Sequence, residues 1–260
     1  MSLPTINMQE AIDQFHQLMQ PDCEFRVLRL LGEAKLGKSH LVTKLFPHLG
    51  QTIYQARYAV LDLRNPAQDI ADILHAACNW LGGMINFPTY AAAHRDWLNR
   101  PIIQVSGLQA LLSRIQVKAP EETDESHKMA RHLTTQFVAD LRQLTIAPVL
   151  LIFDQLDDAN PANQDWLIDT LLVQLAPLTH VRVVVAGRTM PEASGSYAAI
   201  CCSYELLPVH EDQAYINYCR ECKIELAENE IRVLARAVDY KPGAFADVMP
   251  KFMRREAAHG

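Results

Sequence analysis

The apolar run Phe25-Arg26-Val27-Leu28-Arg29-Leu30-Leu31 leads into Gly32-Glu33-Ala34-Lys35-Leu36-Gly37-Lys38-Ser39, and then into Leu41-Val42-Thr43-Lys44-Leu45-Phe46, whose apolar spacing is helical. A strand, the pattern G-x-x-x-x-G-K-S and a helix in that order leave few folds open. Glycines let the backbone approach a ligand closely, so several amide N–H groups and the positive end of the following helix can converge on one phosphate group. On that reading Lys38 neutralises β/γ-phosphate charge and the Ser39 hydroxyl ligates Mg²⁺. The candidate nucleotide-binding residues are Gly32, Glu33, Ala34, Lys35, Leu36, Gly37, Lys38, Ser39 and His40. A glycine-containing turn with a solvated lysine is the competing reading, and agreement between motif and flanks counts against it.

Strand and helix patterns alternate through most of the chain. Asn7-Met8-Gln9-Glu10 reads as a capping box for a first helix carrying Ala11, Ile12, Phe15, Leu18 and Met19 on one face. Arg57–Leu63 reads as a second strand, followed by a helix capped by Asn65 with Pro66 in its first turn, ending near Leu81. Residues 84–147 are mostly helical in pattern, with polar breaks at Asn99-Arg100-Pro101 and Ala119-Pro120-Glu121-Glu122, and form an insertion between strands. Val149–Phe153 is a continuous apolar run of the kind buried on both faces of a parallel sheet. Asn160-Pro161 starts another helix, Val181–Ala186 is a fourth strand and Tyr204–Leu207 a fifth. Such alternation argues for a doubly wound, three-layer α/β sheet. After Pro208 the pattern becomes helical throughout, over 211–221, 228–238 and 244–253. Two units follow, an α/β domain over 1–208, with an N-terminal helix in 1–20, and a helical lid over 209–260.

The third strand runs into Asp154-Gln155-Leu156-Asp157-Asp158, which puts a carboxylate at the carboxyl edge of the sheet, where open α/β folds bind ligands. Asp154 is the expected Mg²⁺ carboxylate beside Ser39, because Mg²⁺ prefers oxygen ligands. Asp157 and Asp158 are the candidates to position or deprotonate an attacking water, or else simply begin the next helix. Arg188, in Gly187-Arg188-Thr189 after the fourth strand, can reach a γ-phosphate or can sit on a surface loop.

Composition narrows the remaining choices. With 49% hydrophobic and 21% charged residues the chain is of ordinary globular type, not a disordered one. A net charge of −6 opposes general attraction to nucleic acid or anionic lipid, so direct nucleic-acid binding is expected to be unlikely. No apolar run approaches ~20 residues and no secretory leader is visible, so no membrane partner and a cytoplasmic location are expected. Six irregularly spaced cysteines suggest reduced thiols; Cys219-x-x-Cys222 has metal-knuckle spacing but lies in a helical pattern.

In the order Gly32–Ser39, Asp154-Gln155-Leu156-Asp157-Asp158, Gly187-Arg188-Thr189, Leu206-Leu207-Pro208-Val209 and Lys241-Pro242-Gly243, the chain resembles signal-transduction ATPases of the STAND class, NACHT-like relatives of the AAA+ ATPases. The resemblance implies a P-loop NTPase fold with parallel sheet order 5-1-4-3-2 and a C-terminal helical lid. It also implies ATP/ADP and Mg²⁺ as cofactors, Arg188 as a sensor arginine, and Pro242 packing on adenine. The function implied is an ATP-binding, slowly hydrolysing regulatory switch whose nucleotide state controls homo-oligomerisation or binding of a protein partner. Two departures matter. Lys35 stands where relatives often have glycine, which stiffens the loop, and Gln155 stands where many AAA+ enzymes have a catalytic glutamate, which implies slow turnover. The winged-helix module that follows the lid in many relatives has no counterpart in these 260 residues. A non-hydrolysing nucleotide-binding scaffold and a small-molecule phosphotransferase are the alternative functions.

Overall fold

The computed structural model describes residues 5–99, 121–193 and 195–256. Five strands, β1 (Val27–Leu31), β2 (Arg57–Asp62), β3 (Val149–Asp154), β4 (Val181–Ala186) and β5 (Cys201–Glu205), form one sheet in the order β2-β3-β4-β1-β5. Every pairing is parallel. This is the three-layer α/β fold with order 5-1-4-3-2 that the sequence resemblance implied.

The period-2 geometry of a strand sorts the apolar side chains onto two faces. Val149, Leu151 and Phe153 join one buried cluster, while Leu150 and Ile152 join the other. β3 and β4 are buried at every position because they have a strand on each side and helices above and below. The first face is covered by α4 (Ile70–Trp80), α5 (Pro88–Leu98) and α6 (Glu121–Leu141), with the Trp166–Leu171 and Leu172–Leu175 segments. The second face is covered by α1 (Gln9–Leu18) and by the helical stretch from α2 (Lys38–His40) through the π-wound Leu41–Leu45 to α3 (Phe46–Tyr54). A third cluster, with Tyr215, Ile231 and Phe245 buried in it, is built from Asp212–Glu221, Glu228–Ala237 and Pro242–Glu256.

Local details depart from the sequence expectations. No capping box forms at Asn7–Glu10: Met8 is the cap residue without a side-chain bond, and Asn7 takes φ 44°. The helix after β2 begins at Ile70 rather than at Pro66, since Asn65 accepts the Ala67 N–H at 3.1 Å in a turn. Asp69 instead caps it, accepting from Asp72 N at 2.8 Å. The fifth strand is Cys201–Glu205 rather than Tyr204–Leu207, because pairing with β1 from Val27↔Cys201 to Leu31↔Glu205 sets its register. The insertion contains α5 and α6; Arg100, Pro101, Ala119 and Pro120, from the expected polar breaks, lie outside the described residues, while Glu121 and Glu122 open α6. Among the described residues no helix is long and apolar enough to cross a membrane.

Candidate functional site

Strand order decides where the chemistry gathers. β4 lies between β1 and β3, so the residues leaving their carboxyl ends, Gly32, Gly187 and Asp154, emerge side by side. A cavity of about 440 Å³ opens there, a volume suited to a small-molecule ligand. Ala34, Lys35, Gly37, Lys38, Ser39 and His40 from the glycine-rich loop line it together with Asp154, Asp157, Asp158, Arg188 and Pro242. Gly32, Glu33 and Leu36 do not line it. Leu36 is buried beneath the loop, and Glu33 pairs with Lys241 at 2.8 Å, which holds its carboxyl below the usual range.

The loop is held open by backbone conformation. Gly32, Lys35 and Gly37 have φ of 140°, 65° and 95°. A left-handed lysine is tolerated at a cost of about 1–2 kcal/mol, and the Lys35 carbonyl accepts the Ala244 N–H at 3.1 Å from the start of the last helix. Gly243 makes that approach possible, since a Cβ there would lie 2.7 Å from the Lys35 oxygen. Gly37 caps the helix that starts at Lys38, and the Met8 methyl occupies the space a side chain at Gly37 would need.

Lys38 Nζ donates to the carbonyls of Gly32 at 2.5 Å and Glu33 at 2.7 Å. Burial lowers its pKa, while the charges of Asp157 and Asp154 oppose that shift. Burial likewise lowers His40, helped by the charge of Lys44. Asp154 is only 2% exposed. Burial pushes its carboxyl up, Asp62 across the β2–β3 pairing adds to this, and the Ser39 side chain and Gln155 groups pull it back. Its Oδ1 is buried without a protein hydrogen-bond partner. A buried, orphaned carboxylate oxygen beside a serine is a donor set that fits Mg²⁺.

The three candidate catalytic residues contact one another. Asp157 accepts the Arg188 backbone N–H at 2.7 Å, and the Arg188 guanidinium pairs with both Asp157 and Asp158. Burial alone would raise Asp157, but the Arg188 N–H and guanidinium outweigh it and hold the carboxyl below its ordinary value. Gln155 adopts φ 62°; with its amide oriented to satisfy both atoms it donates to Asp158 at 3.1 Å and accepts from Arg64 at 3.0 Å.

Sequence reasoning missed much of the opposite wall. Thr5, Ile6 and Met8 precede the first helix, and Tyr218, Ala246 and Asp247 come from the last helices. Ile6 is buried in the C-terminal cluster and Met8 in the sheet cluster, so three residues of chain, Ile6 to Met8, tie the two together. Nothing in their types announces a site; Gly243 alone had a signal, its place beside Pro242. Cys219 is buried in the C-terminal cluster, and among the described residues no group of three or more potential ligands is arranged around a metal position.

No protein-family model matches the chain, and no curated protein sequence matches it. Solved structures do resemble it. The Walker-type ATPase PABY2304 of Pyrococcus abyssi matches with a TM-score of 0.55 at 14% identity, over 97% of this chain and 70% of that one. Cdc6p from Pyrobaculum aerophilum matches at 0.55 and 16%, over 94% and 60%. The Aeropyrum pernix ORC1 protein, in complex with DNA, matches at 0.52 and 11%, over 98% and 61%. This chain therefore spans less than two thirds of the last two. At such identities the likeness shows the fold, an α/β P-loop NTPase fold, with no STAND-class feature singled out. One expectation is corrected. The Aeropyrum pernix protein and a Drosophila ORC structure of similar fold are both bound to DNA. The expectation that direct nucleic-acid binding is unlikely does not stand, because net charge averages over a surface and does not locate its cations.

Proposed function

We propose that the cavity binds Mg·ATP and that the chain is a slowly hydrolysing, AAA+-related switch of the STAND type. The observation that carries this reading is the meeting, in one cavity, of Gly37, Lys38 and Ser39 with Asp154, Arg188 and Pro242. Lys38 and the amides of the loop would hold the terminal phosphates, and Ser39 and Asp154 would hold Mg²⁺, which neutralises phosphate charge. Pro242 and Ile6 supply apolar wall for the base. In the division proposed at residue 209, the lid would then close on a ligand already seated on the sheet edge. Arg188 is held by Asp157 and Asp158. A γ-phosphate would compete for the guanidinium, and that exchange would distinguish ATP from ADP. Affinity for a partner, with nucleic acid included among those to be assayed, would follow the nucleotide state.

Two features favour a second reading, a scaffold that binds without hydrolysing. No carboxylate follows Asp154 in sequence, where Gln155 stands, and both Asp157 and Asp158 are engaged by Arg188. Calorimetric titration with ATP, with and without Mg²⁺, tests the shared part: wild type should bind with Mg²⁺ dependence and Lys38→Ala should not bind measurably. Unaltered binding by a folded Lys38→Ala variant would remove the assignment. Single-turnover phosphate release then separates the two readings, a slow release supporting the switch and none supporting the scaffold.

A further inference from the structure

A second concave region lies outside the nucleotide cavity and shares no lining residue with it. Two adjoining grooves, with Gln51, Tyr58 and Trp80 common to both, run between α3, the edge strand β2 and the end of α4. Trp80 is 52% exposed. Its ring sits 5.6 Å from Tyr58 at an interplanar angle of 39°, so one large aromatic surface is supported from one side and open to solvent.

The charge around it is one-sided. Lys44 and His48 line one groove and Arg57 the other, and neither is lined by a carboxylate. In sequence, no Asp or Glu occurs between Glu33 and Asp62, whereas Lys35, Lys38, Lys44 and Arg57 do. Lys35 and Lys38 serve the nucleotide cavity; Lys44 and Arg57 are not used there. A chain of net charge −6 thus carries, beside an exposed tryptophan, two grooves lined by Lys44, His48 and Arg57 and by no carboxylate.

A ligand complementary to that face needs negative charge at intervals and flat π surfaces between. An acidic peptide satisfies only the first requirement, and a duplex keeps its base faces stacked inside. Single-stranded nucleic acid satisfies both, since successive bases stack on aromatic side chains while Lys and Arg follow the backbone. We propose that the grooves astride Trp80 bind single-stranded nucleic acid, a base stacking on Trp80 and adjoining phosphates meeting Lys44 and Arg57. The proposal does not depend on the reading of the nucleotide cavity.

The test is fluorescence anisotropy of a labelled oligothymidylate of about twelve residues, within the length range single-strand folds occupy. Binding should weaken steeply between about 50 and 200 mM salt, and the log–log salt slope should fall by about 0.7 for each of Lys44→Gln and Arg57→Gln. Trp80→Ala should weaken binding about tenfold or more, Trp80→Phe should retain most of it, and both should melt as wild type. No binding at low salt would overturn the proposal. So would equal affinity for a duplex of the same length, an unchanged affinity in Trp80→Ala, or equally tight binding of an oligoglutamate that does not depend on Trp80.

Discussion

Asp154 carries opposed demands. Its burial raises its pKa, and an acid that holds its proton longer when folded binds more protons folded than unfolded, so stability falls as pH rises from the unfolded value through the raised folded one. Without Mg²⁺, Asp154→Asn should therefore stabilise the protein at neutral pH, read as a higher melting temperature. If the cavity holds Mg·ATP as proposed, the same variant should lose the extra stabilisation that Mg·ATP would give wild type. An unchanged Mg²⁺ effect would remove Asp154 from the metal's ligands. Arg188 makes a second residue-level prediction. If it trades Asp157 and Asp158 for a γ-phosphate, Arg188→Ala should weaken ATP more than ADP, by roughly ten- to hundredfold. Asp157→Asn should move the ATP/ADP ratio the other way by releasing the guanidinium. Equal changes for both nucleotides, measured by calorimetry, would make the cluster structural.

At the scale of elements, the contact between loop and last helix is backbone against backbone. The Ala244 N–H reaches Lys35 O, and Gly243 lies close to both Lys35 and Gly37. Gly243→Ala should push the helix start off the loop at a cost of about 1–3 kcal/mol. Hydrogen exchange should rise over 212–249 and ATP affinity should drop by a similar free energy; unchanged exchange would show that the contact yields without cost. How much of these elements was legible depends on what shapes them. β3 and β4 stand in the sequence as apolar runs, since a strand buried on both faces has little choice of side chain. β5 did not, because its bounds follow from pairing with β1 and its half-exposed residues carry no pattern. The start of α4 was misplaced for a related reason: Asn65-Pro66 and Asp69 are both fair caps, and only the turn at Asn65–Ala67 selects Asp69.

For the whole molecule, the second sheet-face cluster and the C-terminal cluster both reach the cavity, through Met8 and Ile6, and Ile6 joins the C-terminal cluster from the opposite end of the chain. Ile6→Ala should loosen that cluster by about 2–4 kcal/mol and lower ATP affinity without disturbing the sheet. Hydrogen exchange confined to 212–249 would bear this out; exchange rising equally in β3 and β4 would show a single cooperative unit instead. By itself the sequence determined the glycine-rich turn, the apolar central strands, the carboxylate after β3 and the helical C-terminal segment, because each is specified by neighbours a few residues away. Only the tertiary structure decided that Arg188 is held by Asp157 and Asp158, that Thr5, Ile6 and Met8 wall the cavity, and that Lys44 and Arg57 line adjoining grooves that share Trp80. Those contacts join residues separated by tens to hundreds of positions, and the free energy that selects them comes from strand order and packing rather than from any local preference.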